Sequence, residues 1–265
     1  MINPRIPEPV RPLLENYVSA IHKDLPGLMA GLYIVGSIAL DGFNEQHSDI
    51  DFVAALGRSM SKADITRLRE IHEILKKDFQ KWELSGSYLP IQDLGRFKNE
   101  INPHPYYQDG RLHEAGYFGI NSVTWWELKN QGITLLGQES ADMPFTVDWD
   151  LLIAEMKENL NSYWVRWTRR PDRFVVMLSD WGIQWTVLGV LRQYYTLHEN
   201  SITTKMKAAA YALSCLPGRW RPMIQEAMDI REGKRTPHYR SRIARMLDAV
   251  KFLKYVIRTL NAEFP

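Results

Sequence analysis

The sequence predicts an α+β protein in which a small mixed β-sheet with its own helices is followed by an all-helical second part. Short apolar runs at 31–35 and 49–56, and an alternating run at 82–91, have the length and composition of strands. After Asp148 the apolar residues recur every three or four positions, which is the period of a helix. With 45% apolar residues, the 265-residue chain can bury the core of one large domain or of two domains of ordinary size.

The first part of the chain alternates between helical and extended patterns. In chain order, the patterns predict a helix over 8–24, strands over 31–35 and 49–56, an amphipathic helix over 61–79 that starts near Ser61 or Lys62, a strand over 82–91, a long irregular segment over 95–120, and a helix followed by a short strand within 122–137. The link between the first two strands is too short for a helical crossover, so we expect a mixed or antiparallel sheet. Long irregular segments of this kind are often functional.

The second part carries three apolar stripes at helical spacing. They consist of Leu152, Met156, Leu160 and Trp164, then Trp185, Leu188, Leu191 and Tyr195, and finally Met246, Val250, Leu253 and Ile257. Before the first stripe, "ADMPFTVD" at 141–148 supplies a proline and a change of period. We therefore predict two domains, 1–146 and 147–265.

Composition excludes several classes of protein. A net charge of +2 gives no field that would favour nucleic acid or an anionic membrane. The single cysteine, Cys215, excludes an intramolecular disulfide and zinc sites built on several cysteines, and its apolar helical context predicts a packed side chain. The first residues include prolines and acids in place of the apolar region of a signal peptide, and no run of about 18 apolar residues occurs. We expect a cytoplasmic protein, monomeric or weakly oligomeric, without a nucleic-acid or membrane partner.

One stretch, "VGSIALDGFNEQHSDIDFVAAL" at 35–56, concentrates groups that bind metals and phosphates. Asp49 and Asp51 are two positions apart on a predicted strand, so their side chains project from one face. Two converging carboxylates are costly without a positive partner, and hard oxygen ligands favour magnesium completed by water and substrate phosphates. Gly36 and Ser37 offer unhindered backbone N–H groups and a hydroxyl to a triphosphate. The aspartate pair alone is equally compatible with a solvated strand edge, but the two features together predict a nucleotide–metal site.

This stretch resembles a known signature. "GSIALDGFNEQHSDIDFVAA" is similar to the G-S-x(n)-S-D-x-D motif of the nucleotidyltransferase superfamily related to DNA polymerase beta. The segment "INSVTWWELKNQGITLLGQ" at 120–138 resembles the end of the N-terminal domain of the aminoglycoside adenylyltransferases that act on streptomycin and spectinomycin. Residues 186–233 resemble their helical C-terminal domain. The resemblance thus covers most of the chain, in order.

The resemblance implies a role for particular residues. It implies that Asp49 and Asp51 hold magnesium, that Gly36 and Ser37 contact the triphosphate, and that ATP is the donor. These enzymes also use a carboxylate on a third strand as general base and third metal ligand.

The candidate for that carboxylate is Glu83, although an ungapped match from the other end of the strand would place Ser85 there. In the helical part, the resemblance places Lys205 and Arg192 at ATP-contacting positions. An exposed lysine at a helix start and a buried structural ion pair are the ordinary alternatives for these two.

The predicted activity is magnesium-dependent transfer of AMP from ATP to a hydroxyl of an aminoglycoside or a similar small polycationic acceptor, with release of pyrophosphate. Two rival functions stay open. One is a nucleotidyltransferase that modifies a protein or RNA, as in toxin–antitoxin systems. The other is a catalytically silent nucleotide-binding protein.

Overall fold

The computed structural model describes residues 3–234 and 238–265 and divides the chain into two compact units. We call Met1–Trp149 the sheet unit and Asp150–Pro265 the helical unit. The chain therefore divides close to the change of period at 141–148 from which the boundary was predicted.

From residue 3 onwards, the sheet unit contains six strands and four α-helices. The strands are β1 (Met29–Ile34), β2 (Ile50–Leu56), β3 (Leu84–Pro90), β4 (His104–Gln108), β5 (Arg111–Gly116) and β6 (Ile133–Leu136). The helices are α1 (Arg11–Asp24), the single turn α2 (Gly36–Ala39), α3 (Lys62–Asp78) and α4 (Ser122–Gln131). The order across the sheet is β5-β4-β3-β2-β1-β6, with β2 and β3 parallel and the other neighbours antiparallel. The predicted mixed sheet is confirmed.

The parallel pairing of β2 and β3 follows from the helix between them. A parallel neighbour requires a long crossover, and α3 supplies it. This helix starts where a capping box is encoded: the Ser61 hydroxyl accepts a hydrogen bond from the Asp64 amide, and the Asp64 carboxylate accepts one from the Ser61 amide.

Alternation along β2 separates an apolar face from the face that carries the acidic motif. Ile50 and Phe52 belong to the core cluster that includes buried residues of α1 and α3. Asp51 and Val53 point to the other face, where Val53 packs in a second cluster with Trp125 of α4. The acidic side of β2 therefore faces α4.

The segment 95–120 is more ordered than predicted, and the expectation of a long irregular segment is wrong. Its central part forms the hairpin of β4 and β5. The two residues between the strands, Asp109 and Gly110, both have positive φ, 52° and 66°. An Asp-Gly pair is favoured at such two-residue turns because glycine and, more weakly, aspartate tolerate this conformation.

The helical unit is built around one long buried helix. Its helices are α5 (Trp149–Asn159), α6 (Val165–Trp167), α7 (Pro171–Met177), α8 (Asp180–Glu199), α9 (Lys205–Cys215), α10 (Arg221–Arg231) and α11 (Arg242–Glu263), with a π-helical segment (Leu160–Trp164) between α5 and α6. Helix α8 packs against α7, α9, α10 and α11. The predicted stripes are buried or half-buried in this unit, and the helical second part is confirmed.

One side chain lies elsewhere than predicted. Cys215 is exposed, whereas its context predicted a packed side chain. It is the last residue of α9, so no following turn of that helix covers it. Within the described ranges, no single helix is long and apolar enough to cross a membrane. Helices α7 and α8 reach the necessary length and apolar character only when they are taken together, and the chain bends by 106° between them.

Candidate active site

A tight turn after β1 forms the centre of the candidate site, and we call residues 35–37 the phosphate turn. Gly36 has a φ of +64°. A Cβ at this position would lie 2.1 Å from Oδ2 of Asp51, too close for any other residue. The Val35 amide donates to the Asp51 carbonyl at 3.0 Å, which fixes the turn beside β2. Glycine is required here both by conformation and by the approach of Asp51.

Ser37 presents a hydroxyl that is not used by the protein. Its Oγ is buried and has no hydrogen-bond partner among the described residues. Buried hydroxyl groups are normally hydrogen-bonded, and an exception calls for a reason. A phosphate oxygen at the turn would satisfy this donor, so the residues present fit the predicted nucleotide.

The two aspartates lie at the start of β2, which is an inner strand of the sheet. Asp51 is half-buried within β2, and Asp49, one residue before the strand, is exposed. Asp49 makes no hydrogen bond or ion pair with the described part of the chain. In that part, no group of three or more histidine, cysteine, aspartate or glutamate side chains could hold a metal ion by itself. Two carboxylates suit magnesium, which keeps most of its coordination for water and substrate phosphates.

Glu83 lies immediately before β3 and next to β2. Its carbonyl accepts a hydrogen bond from the Ile50 amide at 2.8 Å, and the register pairs Asp51 with Ser85. The pair at the start of the two strands is Ile50 with Leu84. One residue earlier on each strand, the same register places Glu83 beside Asp49. The Glu83 carboxylate accepts a hydrogen bond from the Gly110 amide in the β4–β5 turn.

Ser85 therefore occupies the position beside Asp51. The predicted base, Glu83, lies two residues earlier, just before the start of β3. The Glu83 side chain is exposed and also borders a cavity of about 300 Å³ lined by residues such as His72, Trp82 and Tyr107. Its role as general base and third metal ligand stays a prediction.

A further acid at the site was missed by the sequence reasoning. Glu127 of α4 is 6% exposed, and its Oε2 accepts a hydrogen bond from the Gly36 amide at 3.0 Å. A lone acid in the run "TWWELKN" belongs to no spaced motif. The available signal was its position in an apolar stretch, where a carboxylate needs a specific partner.

The two predicted cations of the helical unit differ in their surroundings. Arg192 lies in α8, is half-buried, and has no hydrogen bond or ion pair with the residues that the structure describes. Lys205 is the first residue of α9, after the N-cap Thr204, and its Nζ lies 4.7 Å from the ring centroid of Trp185. The structural ion pair considered for Arg192 is thus absent from the described part of the chain.

Comparison with known proteins bears on the helical unit first. Residues 178–256 match the family model described as the aminoglycoside adenylyltransferase C-terminal domain. The helical unit therefore resembles the C-terminal domain of the aminoglycoside adenylyltransferases over these residues. Both Arg192 and Lys205 lie within the matched residues. The predicted resemblance is confirmed, and with it the class of enzyme, an adenylyltransferase.

The fold agrees with this family over nearly the whole chain. The crystal structure of spectinomycin adenyltransferase AAD(9) from Enterococcus faecialis, with ATP and spectinomycin, matches with a TM-score of 0.69 at 13% identity. The match covers 92% of this chain and 99% of that one. At this identity the likeness shows the fold. No curated protein matches the chain.

Proposed function

We propose that this protein transfers AMP from ATP to a hydroxyl of an aminoglycoside or a similar small polycationic acceptor, with magnesium, and releases pyrophosphate. The observation that carries the proposal is the phosphate turn. There the buried Ser37 hydroxyl, which has no partner among the described residues, directly follows Gly36, the glycine that Asp51 approaches closely. A family domain in the same chain and the fold of an enzyme crystallised with ATP and spectinomycin support the donor and the acceptor class.

In this proposal each residue has a role suited to its surroundings. Asp49 and Asp51 hold the magnesium, which when bound neutralises charge on the phosphates and polarises them. Ser37 donates a hydrogen bond from its hydroxyl to a phosphate oxygen and so orients the triphosphate. Reactions of this type depend on positioning and charge neutralisation, and these residues provide both.

Glu83 is the base we propose for the acceptor hydroxyl. Its place beside Asp49 in the extended register supports this, because a base must lie close to the metal-bound phosphate. Its hydrogen bond from the Gly110 amide holds the carboxylate at the end of the strand. Arg192 and Lys205 are the proposed phosphate-contacting cations. Arg192 has no ion-pair partner among the described residues, which supports its proposed contact with a phosphate.

The test is acceptor-dependent pyrophosphate release from ATP across a panel of aminoglycosides, beginning with streptomycin and spectinomycin. We expect release with the wild type, and loss of at least a thousandfold in Asp49→Asn and Asp51→Asn, a magnitude in keeping with removal of a metal ligand. Asp78→Asn, an exposed aspartate at the end of α3, should keep full activity. Retained transfer in both site variants would overturn the proposal.

The same assay separates the rival functions. Release that requires a protein or RNA acceptor would favour the toxin–antitoxin type, and ATP binding without release would favour a silent nucleotide-binding protein. For the base, full turnover in Glu83→Gln would remove Glu83 from the mechanism. A cytoplasmic location, where ATP is available, and antibiotic resistance in an expressing host follow from the proposed activity.

A further inference from the structure

We propose that Glu127 is the positioning residue of the phosphate turn: its buried carboxylate holds the Gly36 amide and so leaves the Ser37 hydroxyl available to the nucleotide. This inference rests on the proposed function, because it concerns how the same site receives ATP. It adds a residue from α4 that lies outside the acidic and glycine-serine motifs.

The contact joins distant parts of the sheet unit. Glu127 lies 91 residues after Gly36 in the chain, and its Oε2 is 3.0 Å from the Gly36 nitrogen. A carboxylate that is only 6% exposed is retained where hydrogen bonds compensate for lost water.

Three other backbone groups of the turn have partners among the described residues. The Val35 amide donates to the Asp51 carbonyl, and the carbonyls of Gly36 and Ser37 accept from Leu40 and Gly42. Glu127 binds the Gly36 amide, whereas the buried Ser37 Oγ has no hydrogen-bond partner among the described residues.

This arrangement determines which group meets a phosphate. The φ of +64° at Gly36 is tolerated but not enforced by glycine, since glycine samples many conformations. The Glu127 contact restricts that freedom and fixes the direction of the following hydroxyl. A turn ordered before binding costs the ligand less entropy, so its affinity for the nucleotide rises.

The experiment uses the full chain and three variants at residue 127. Glu127→Leu removes the acceptor, Glu127→Asp keeps the charge but shortens the side chain by one methylene, and Glu127→Gln keeps an oxygen acceptor at the same reach. Glu139→Gln, at an exposed glutamate after β6, is the control. Two quantities are measured: amide hydrogen exchange at Gly36 without ligand, and equilibrium binding of ATP with magnesium.

We expect the Leu and Asp variants to exchange the Gly36 amide at least tenfold faster and to bind ATP at least tenfold more weakly, in line with the loss of the hydrogen bond that Gly36 donates. Glu127→Gln and the control should stay within about threefold of wild type on both measurements. The Asp variant preserves the test if the Leu variant does not fold, because it keeps a buried carboxylate.

Three outcomes would overturn the inference. The first is ATP binding by a folded Leu or Asp variant within threefold of wild type. The second is a Gln variant as weak as the Leu variant, since charge rather than the acceptor would then matter. The third is a wild type that binds no ATP, which defeats the proposed function as well; in the first two cases wild-type binding is intact and the inference fails alone.

Discussion

Each unit contains a buried polar cluster, and the two clusters differ in charge. The sheet unit encloses a neutral cluster in which the Tyr88 hydroxyl contacts the Tyr17 hydroxyl at 2.6 Å and His72 Nε2 at 2.5 Å. In the helical unit, the buried Arg245 binds the buried Glu226 at 2.9 Å and the exposed Asp180 at 2.7 Å. An unpaired buried charge costs far more than an unpaired hydroxyl, so the units should respond differently to the loss of one partner.

The neutral cluster is held neutral by its burial. Desolvation raises the pKa of the Tyr17 and Tyr88 hydroxyls and lowers the pKa of His72 to about 3. The His72 ring stacks on Tyr107, with centroids 3.8 Å apart, beneath β4. These groups tie α1 and α3 to the sheet.

The charged cluster ties three helices and the link between α7 and α8 together. Arg245 of α11 reaches Glu226 of α10 and Asp180 at the start of α8, and it also donates to the Leu178 carbonyl at 3.2 Å. Nearby, a hydrogen bond from His238 lowers the pKa of Asp229.

The largest effect should come from breaking the charged cluster. Arg245→Ala leaves Glu226 buried without its charged partner, so we expect the free energy of unfolding to fall by about 3–5 kcal/mol. Urea denaturation followed by circular dichroism measures this.

Arg242→Ala, at an exposed arginine on the same helix, should change stability by at most about 0.5 kcal/mol. The paired replacement of Arg245 by Met and Glu226 by Leu should cost less than Arg245→Ala alone. A loss below about 1 kcal/mol in Arg245→Ala would remove the distinction between the units.

The fold was largely predictable, because most elements show a clear period. Helix α3 shows an apolar stripe and begins at the Ser61 cap. Strand β2 is an apolar run that comes directly after an acidic turn. The β4–β5 hairpin was missed because its strands are short and carry two histidines, a proline and a glutamine, which outweigh the Asp109-Gly110 turn signal.

The site was predictable only where its residues are close in sequence. Gly36, Ser37 and Asp51 form a local pattern, and the structure brings them together. Glu127 meets Gly36 through tertiary packing of α4, which leaves no spacing in the sequence. The choice between Glu83 and Ser85 as the neighbour of Asp51 was also not predictable. It depends on the register between β2 and β3, and the alternation of apolar residues does not fix that register.

The next effect tests the neutral cluster. Tyr88→Phe removes the hydroxyl that both Tyr17 and His72 contact, leaving two polar atoms unpaired in the core. We expect a loss of about 2–3 kcal/mol in the free energy of unfolding. Tyr106→Phe, at a half-buried tyrosine whose hydroxyl makes no hydrogen bond with the described residues, should stay within about 0.5 kcal/mol. If Tyr88→Phe is as costly as Arg245→Ala, neutral and charged clusters do not differ in the way proposed here.

A change of pH should act on the sheet unit through His72. Its pKa in the folded state, about 3, lies below the value of about 6.5 in an unfolded chain, so the folded state keeps the ring neutral. The corresponding stability is present above pH 6.5 and is lost as the pH falls towards 3. Between pH 7 and pH 5 the loss should be about 2 kcal/mol.

Urea denaturation of the wild type and of His72→Gln at both pH values measures this term. The variant should lose about 2 kcal/mol less over the same range. Burial also lowers the pKa of His104, so a smaller slope should persist in the variant. The carboxylates with lowered pKa, Asp64 and Asp229, lose their stabilisation below this range. Equal losses in both proteins would contradict the assignment to His72.

The smallest effects concern helix starts, where the sheet unit again has the more connected arrangement. Ser61 Oγ accepts from the Asp64 amide and donates to the Asp64 carboxylate, and Arg58 binds that carboxylate at 2.7 Å. Among the described residues, Ser241 Oγ of the helical unit makes a single hydrogen bond, which it accepts from the Ala244 amide at 3.1 Å.

We therefore expect Ser61→Ala to cost about 1–2 kcal/mol and Ser241→Ala about 0.5–1 kcal/mol in the free energy of unfolding. Glycine tolerates the backbone of an N-cap position, so Ser241→Gly should recover all but a few tenths of the loss, whereas Ser61→Gly should recover less because the hydroxyl contact to Asp64 stays broken. A larger loss in Ser241→Ala than in Ser61→Ala would show that the reciprocal contacts of the capping box add nothing to α3.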